Sequence, residues 1–187
     1  LQQTGKCEPV FQSLQHYVNA DGGFGKALEP NIRLSASSVI ATTVALQYLA
    51  RSDAPGSSNL VKNAMQYLAD QYDNKARAWP VVPANVNDAA HAPWWEPKDI
   101  SDCLLNPRTE ILGYLYRWPG FFSDEIRDLI TNEVFDQIKT THEIEMHELL
   151  TVDRLLNSPG LPTERYSDTA PYFYDLATKA IATETKA

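Results

Sequence analysis

"FQSLQHYVNADGGFGKAL", residues 11–28, and "MQYLADQYDNKARAWPVV", residues 65–82, line up as two degenerate copies of one pattern. Each is a helix ending in Gln and Tyr, then an Asp-containing turn, then an aromatic residue. Phe24 and Trp79 fall 55 residues apart, with a further helix between them. Two helices per repeat at roughly 40–50 residues is the mark of a helical-hairpin array. In the first copy Val10, Leu14, Tyr17 and Val18 share a helix face, and Pro9 fits a first-turn position. "DGGFG" then reads as a corner, because glycine accepts the tight turn and Phe24 packs back on the array.

Outward from these corners the helical signal dominates. "SASSVIATTVALQYLAR" (35–51) opens on cap-forming serines, and Ser58 to Tyr72 forms a third helix. A long irregular stretch holds "HAPWWEP", after which helices are predicted at Pro107–Arg117, Ser123–Lys139, Glu143–Asn157 and Ala170–Thr183. "SPGLP" at 158–162 is a stop signal. Strand alternation is nearly absent, so the expected class is all-α, with residues 1–187 as a single domain. The chain has 187 residues, 43% hydrophobic and 21% charged, an ordinary balance for a soluble domain. Its net charge of −8 argues against nucleic acid or an anionic membrane surface as partner. No apolar run approaches the roughly 18 residues of a membrane span. Cys7 and Cys103 lack metal-site spacing and read as reduced thiols of a cytoplasmic protein.

"LQHYVNADGGFG" resembles the Gln…Asp-Gly-Gly-Phe turn of the α/α toroids of triterpene cyclases and protein prenyltransferases. There a glutamine and an aromatic stack across a helix end, places that Gln15 and Phe24 would take. "DGGFGKALEPNIR", "SSVIATTVALQYL", "HAPWW", "NPRTEILGYL" and "EMHELL…NSPGLP" together resemble a narrower group, over roughly residues 10–162. These are microbial toroid proteins and the fungal humulene-forming sesquiterpene cyclases of meroterpenoid pathways. The resemblance implies an α/α toroid and a lyase that ionises farnesyl diphosphate with Mg²⁺ to a cyclic hydrocarbon such as humulene. A closed double barrel of about twelve helices needs more chain than this at ~20 residues per helix and loop. An incomplete toroid, or a chain that lacks segments of the full protein, is therefore expected. DxDD, DDxxD and NSE-type motifs are absent, and the humulene-forming group shares that feature.

Ionising a prenyl diphosphate needs Mg²⁺ on carboxylates or amides, a cationic grip on phosphate oxygens, and an aromatic cavity that excludes water. For the metal and the catalytic step, "NPRTEILGY" supplies Asn106 and Glu110, four apart at a helix start. "HEIEMHELLTVD" supplies Glu145, Glu148 and Asp153, with Glu145 and Glu148 on one face at i, i+3. Asp88 is a further candidate ligand. The other reading of the glutamates is a solvated acidic face shared with His142 and His147. For phosphate, Arg33 is the leading candidate with Glu29 as its orienter, and a Glu29–Arg33 ion pair pinning the loop is the alternative. Arg108 and Lys98 are weaker candidates. His91 is placed to donate to phosphate or to cap its loop. Trp94 and Trp95, adjacent between prolines, cannot share one helix face, so at least one is expected at a concavity or an interface.

The resemblance implies a sesquiterpene cyclase, whereas composition and spacing alone give a soluble helical domain. A non-catalytic helical array that holds an apolar ligand or a partner protein is the rival, and a toroid glycosidase with paired carboxylates is a third. The sequence leaves a homodimer open.

Overall fold

The computed structural model describes residues 4–97, 99–100 and 105–184. Seven α-helices and no strand ladder occur among them: α1 Thr4–Leu14, α2 Val39–Arg51, α3 Asn59–Asp70, α4 Arg108–Arg117, α5 Asp124–Thr140, α6 Met146–Leu156 and α7 Thr163–Glu184. The protein is all-α, as expected. No helix among these residues is long and apolar enough to cross a membrane. The chain divides into two compact units, Leu1–Cys103 and Leu104–Ala187.

Serines fix three helix starts. Ser38, Ser58 and Ser123 each accept the backbone N–H three residues on, from Ala41, Val61 and Ile126. Such a cap is worth about 1 kcal/mol. The second helix thus begins at Val39. Ser35 to Ser38 instead lie against the preceding corner, where Lys26 and Ala27 donate their amides to Ser35 and Leu34.

In the first unit α2 packs against both α1 and α3. The corner after α1 closes through isolated bridges of Phe24 with Val18 and with Ser38. Phe24 is fully buried, and its amide donates to the Thr42 hydroxyl of α2 at 3.0 Å. Asp21 shapes the turn by accepting the Gly23 amide and the Ser37 hydroxyl. Glycine is required at 25, where a Cβ would sit 2.2 Å from the Ala36 carbonyl oxygen. The corner rests on α3, since a Cβ at Gly23 would strike the Tyr67 ring at 2.6 Å. Burial there pushes the Tyr67 phenol up to about 12, with the Asp21 charge adding to the shift.

The second corner repeats the plan with other residues. Asp73 accepts the amides of Lys75 and Ala76 at 2.8 Å, and an isolated bridge joins Asp73 to Ala78. Trp79 is fully buried, its indole N–H donates to the Leu68 carbonyl at 2.6 Å, and its ring centroid lies 4.9 Å from that of Tyr72. The expected glutamine–aromatic stack is not the tie used at the first corner: Gln15 is exposed while Phe24 is enclosed.

The second unit comprises α4 to α7, with α4 and α7 each packed on both α5 and α6. Like helices run side by side. Thr109 meets Thr151 at 2.6 Å, Glu110 meets Arg154 at 3.0 Å, and a Cβ at Gly113 would meet Leu155 Cα at 3.4 Å. Numbers rise together along both helices, so α4 and α6 are parallel. Asn132 with Arg165 and Lys139 with Asp168 make α5 and α7 parallel by the same reasoning. Arg108 with Glu133, and Tyr116 with Thr131, run in opposite senses and make α4 antiparallel to α5.

Two helices extend past prolines. Pro9 lies in the middle of α1 rather than in its first turn, and Pro171 lies inside α7, which begins at Thr163 instead of Ala170. Proline costs one intrahelical hydrogen bond. In α7 the burial of Thr169, Ala170, Phe173 and Leu176 outweighs it.

Candidate functional site

In the first unit, residues 31–34 run antiparallel to 89–92. Ile32 bridges His91, the Arg33 amide donates to the Ala90 carbonyl, and the Ala92 amide donates to Asn31. Alternation along this extended segment buries Ile32 and Leu34 with Val81, Val82 and Val86, and turns Arg33 outward. Glu29 and Arg33 form no ion pair among the described residues. Glu29 instead accepts the backbone and side-chain N–H groups of Asn31 at 3.1 and 3.2 Å. His91 is largely buried, with Nδ1 2.9 Å from the Ala89 carbonyl and Nε2 3.9 Å from Glu96.

Trp94 and Trp95 share a short 3₁₀ turn, Pro93–Trp95, and diverge. Trp95 packs on the Ile32–Val86 cluster with its indole N–H buried and unpaired, whereas Trp94 is 61% exposed. Asp88 is exposed at the end of a second 3₁₀ turn. Gly25, Leu28, Glu29, Ile32, Leu34 and Ser38 line a shallow depression with no enclosed room even for a water molecule. Pockets for organic ligands run to roughly 300–1,000 Å³, so this depression does not house a farnesyl chain. Lys98 lies outside the described residues.

In the second unit the candidates lie along the parallel pair α4 and α6 and just before each helix. Asn106 is half-buried and precedes a cis bond to Pro107, which immediately precedes α4. Eight consecutive residues of α4, Arg108 to Leu115, are buried. Two of them carry charge, and each finds a partner on a different neighbour. Arg108 pairs with Glu133 of α5, while its Nε is buried without a hydrogen-bond partner. Glu110 accepts Tyr114 Oη on one carboxylate oxygen and Arg154 Nη1 on the other.

At the start of α6, Glu145 and Glu148 form a capping box. Each carboxylate accepts the other residue's amide, at 3.2 and 3.5 Å. His147 Nδ1 lies 3.0 Å from the second Glu145 oxygen. Burial raises the Glu148 carboxyl above the usual range; the hydrogen bond to the Glu145 backbone opposes this, and the Glu145 charge adds to it. Asp153 is exposed and bonded to Asn157. Five residues separate it from Glu148, about 7.5 Å along the helix, so Asp153 stands apart from the pair.

The donor set limits what a metal would find. No group of three or more His, Cys, Asp or Glu side chains converges among the described residues. Mg²⁺ commonly takes only one or two carboxylates and completes its shell with water and phosphate oxygens. The Glu145–Glu148 pair fits that mode, because the two carboxylates lie within one turn at a solvent-accessible helix start, where a divalent cation would offset their mutual repulsion. Glu110 fits it less well, because it is buried between Tyr114 and Arg154, whereas Glu145 is exposed and Glu148 half-buried.

No protein family, curated protein or solved structure matches the chain.

Sequence reasoning missed Tyr114 and Arg154 as the partners of Glu110, and Glu133 as the partner of Arg108. Tyr114 was within reach, being four residues beyond Glu110 on the same helix face. Arg154 and Glu133 come from other helices, and no local spacing announces them.

Proposed function

We propose that the chain is a toroid-type terpene cyclase that ionises a prenyl diphosphate, farnesyl diphosphate by resemblance, with Mg²⁺. The observation that carries this reading is the parallel pairing of like helices, α4 beside α6 and α5 beside α7. It is the arrangement that successive hairpins of an α/α toroid require. It also sets the N-terminal ends of α4 and α6 at one end, where two helix dipoles favour an anion.

Glu145 and Glu148 would hold Mg²⁺ at this end. The metal would supply charge neutralisation to the departing diphosphate. The dipoles of α4 and α6 would favour the phosphate oxygens at this end, while the Glu148 amide is already taken by Glu145 and the Arg108 guanidinium by Glu133. In the reaction the allylic C–O bond breaks and its electron pair leaves with diphosphate. The cation closes on a distal double bond, and diphosphate takes the proton as the final alkene forms.

The test is incubation of the chain with farnesyl diphosphate and Mg²⁺, followed by gas chromatography of the extract. A cyclic sesquiterpene is the expected product. No hydrocarbon, together with no thermal stabilisation by a non-hydrolysable diphosphate analogue, rejects the reading. The rival, a non-catalytic array that binds a partner, draws on the exposure of Trp94. It would show as binding that Trp94→Ala abolishes and that prenyl diphosphate leaves unaffected.

A further inference from the structure

We infer that Glu110 and Arg154, with Thr109 and Thr151, are positioning residues that fix the register of α6 on α4 and thereby place the Glu145–Glu148 carboxylates. The inference rests on the reading above in taking those carboxylates as the metal pair. It also changes the role expected for Glu110, from a ligand or catalytic group to a clamp.

Packing between parallel helices is poorly defined along the axis when only aliphatic side chains meet. A slip of one turn, about 5.4 Å, can exchange one set of apolar contacts for another. A buried charge does not permit that slip, because it would lose its partner in a medium that cannot replace it. Glu110 is 3% exposed, and its two oxygens are held by Tyr114 from its own helix and by Arg154 from α6. Arg154 is one-third exposed, so the ion pair has its solvated end on α6 and its enclosed end on α4.

One turn closer to the candidate metal pair, the Thr109 and Thr151 hydroxyls meet at 2.6 Å in a buried setting. Thr151 also lies in hydrogen-bond geometry with the Glu148 carbonyl, at 2.8 Å. A chain of contacts therefore runs from the Leu105 carbonyl through Thr109 and Thr151 to the backbone of Glu148. At the far end, Gly113 lets Ser158 and Leu155 come close to α4. Clamped at these levels, α6 can neither slide nor rotate. Its first turn, with the two carboxylates, is fixed relative to the N-terminus of α4.

The experiment uses the full chain. Backbone amide exchange at Glu145 and Glu148 is followed by NMR, and binding of Mn²⁺ with inorganic pyrophosphate by electron paramagnetic resonance. Arg154→Met is expected to speed exchange at Glu148 and to weaken Mn²⁺–pyrophosphate binding, each by about tenfold, as loss of a supporting contact commonly does at metal sites. Arg154→Lys should restore both, and α7 amides should be unaffected. If Arg154→Met does not fold, Thr151→Val with Thr151→Ser as the rescue is read in the same way. A folded Arg154→Met or Thr151→Val protein with unchanged exchange at Glu148 overturns the positioning role, and so does weakening that the conservative variant fails to rescue. Absence of Mn²⁺–pyrophosphate binding by the unaltered chain rejects the metal pair instead, while the exchange data still decide the clamp.

Discussion

Glu145 and Glu148 hold each other's backbone at the start of α6, each carboxylate accepting the other's amide. The arrangement spares the helix two unpaired donors, yet sets two like charges side by side.

This cap has a pH signature. Burial and the Glu145 charge lift the Glu148 carboxyl above its unfolded value. The folded chain therefore binds this proton more tightly, and stability falls as pH rises through the interval between the unfolded and folded values. Glu148→Gln keeps the acceptor that caps Glu145 and removes the charge. It should be more stable than the unaltered chain at neutral pH, with the difference vanishing at about pH 3, below the usual Glu range. Urea denaturation at the two pH values checks this.

Tyr67 gives the alkaline counterpart. Its phenol is lifted from 10.0 to about 12. The folded state retains the proton over that window, so stability declines as pH rises from 10 to 12. Tyr67→Phe should lack this part of the alkaline loss, as measured by denaturation across the same range.

The corner aromatics should dominate the stability of the first unit. Phe24→Ala and Trp79→Ala each empty a fully buried site and should cost about 3–5 kcal/mol. Trp94→Ala removes a side chain that is 61% exposed and should fall within about 0.5 kcal/mol of the unaltered protein. Equal losses at Trp79 and Trp94 in equilibrium unfolding would contradict the structural repeat.

The metal pair predicts an asymmetry on one helix. Glu148→Ala should reduce farnesyl diphosphate turnover by about 10²-fold or more, since it removes a ligand. Asp153→Ala, five residues on and bonded to Asn157, should change turnover little. Steady-state kinetics at saturating Mg²⁺ separates the two.

Much of this was legible in the sequence because it is local. Serine caps, the Asp-containing corners and the burial of Phe24 follow from neighbours within a few residues. The helices running through Pro9 and Pro171 were not legible: proline reads as a stop locally, and tertiary burial of α7 reverses that. The Glu110–Arg154 and Thr109–Thr151 ties span 44 and 42 positions, so only the packed helices bring them together. Glu145 and Glu148 were readable as neighbours on one face, but their reciprocal cap depends on where α6 begins.

The parallel pairing of α4 with α6 and of α5 with α7 also bears on ancestry. A unit that stacks like upon like can gain a hairpin by duplication without reversing any helix, since each newcomer meets the same kind of neighbour. The two corners of the first unit, built on Phe24 and Trp79, show what such a repeat must keep: each buries one ring behind an Asp-bearing turn while the residues around it differ.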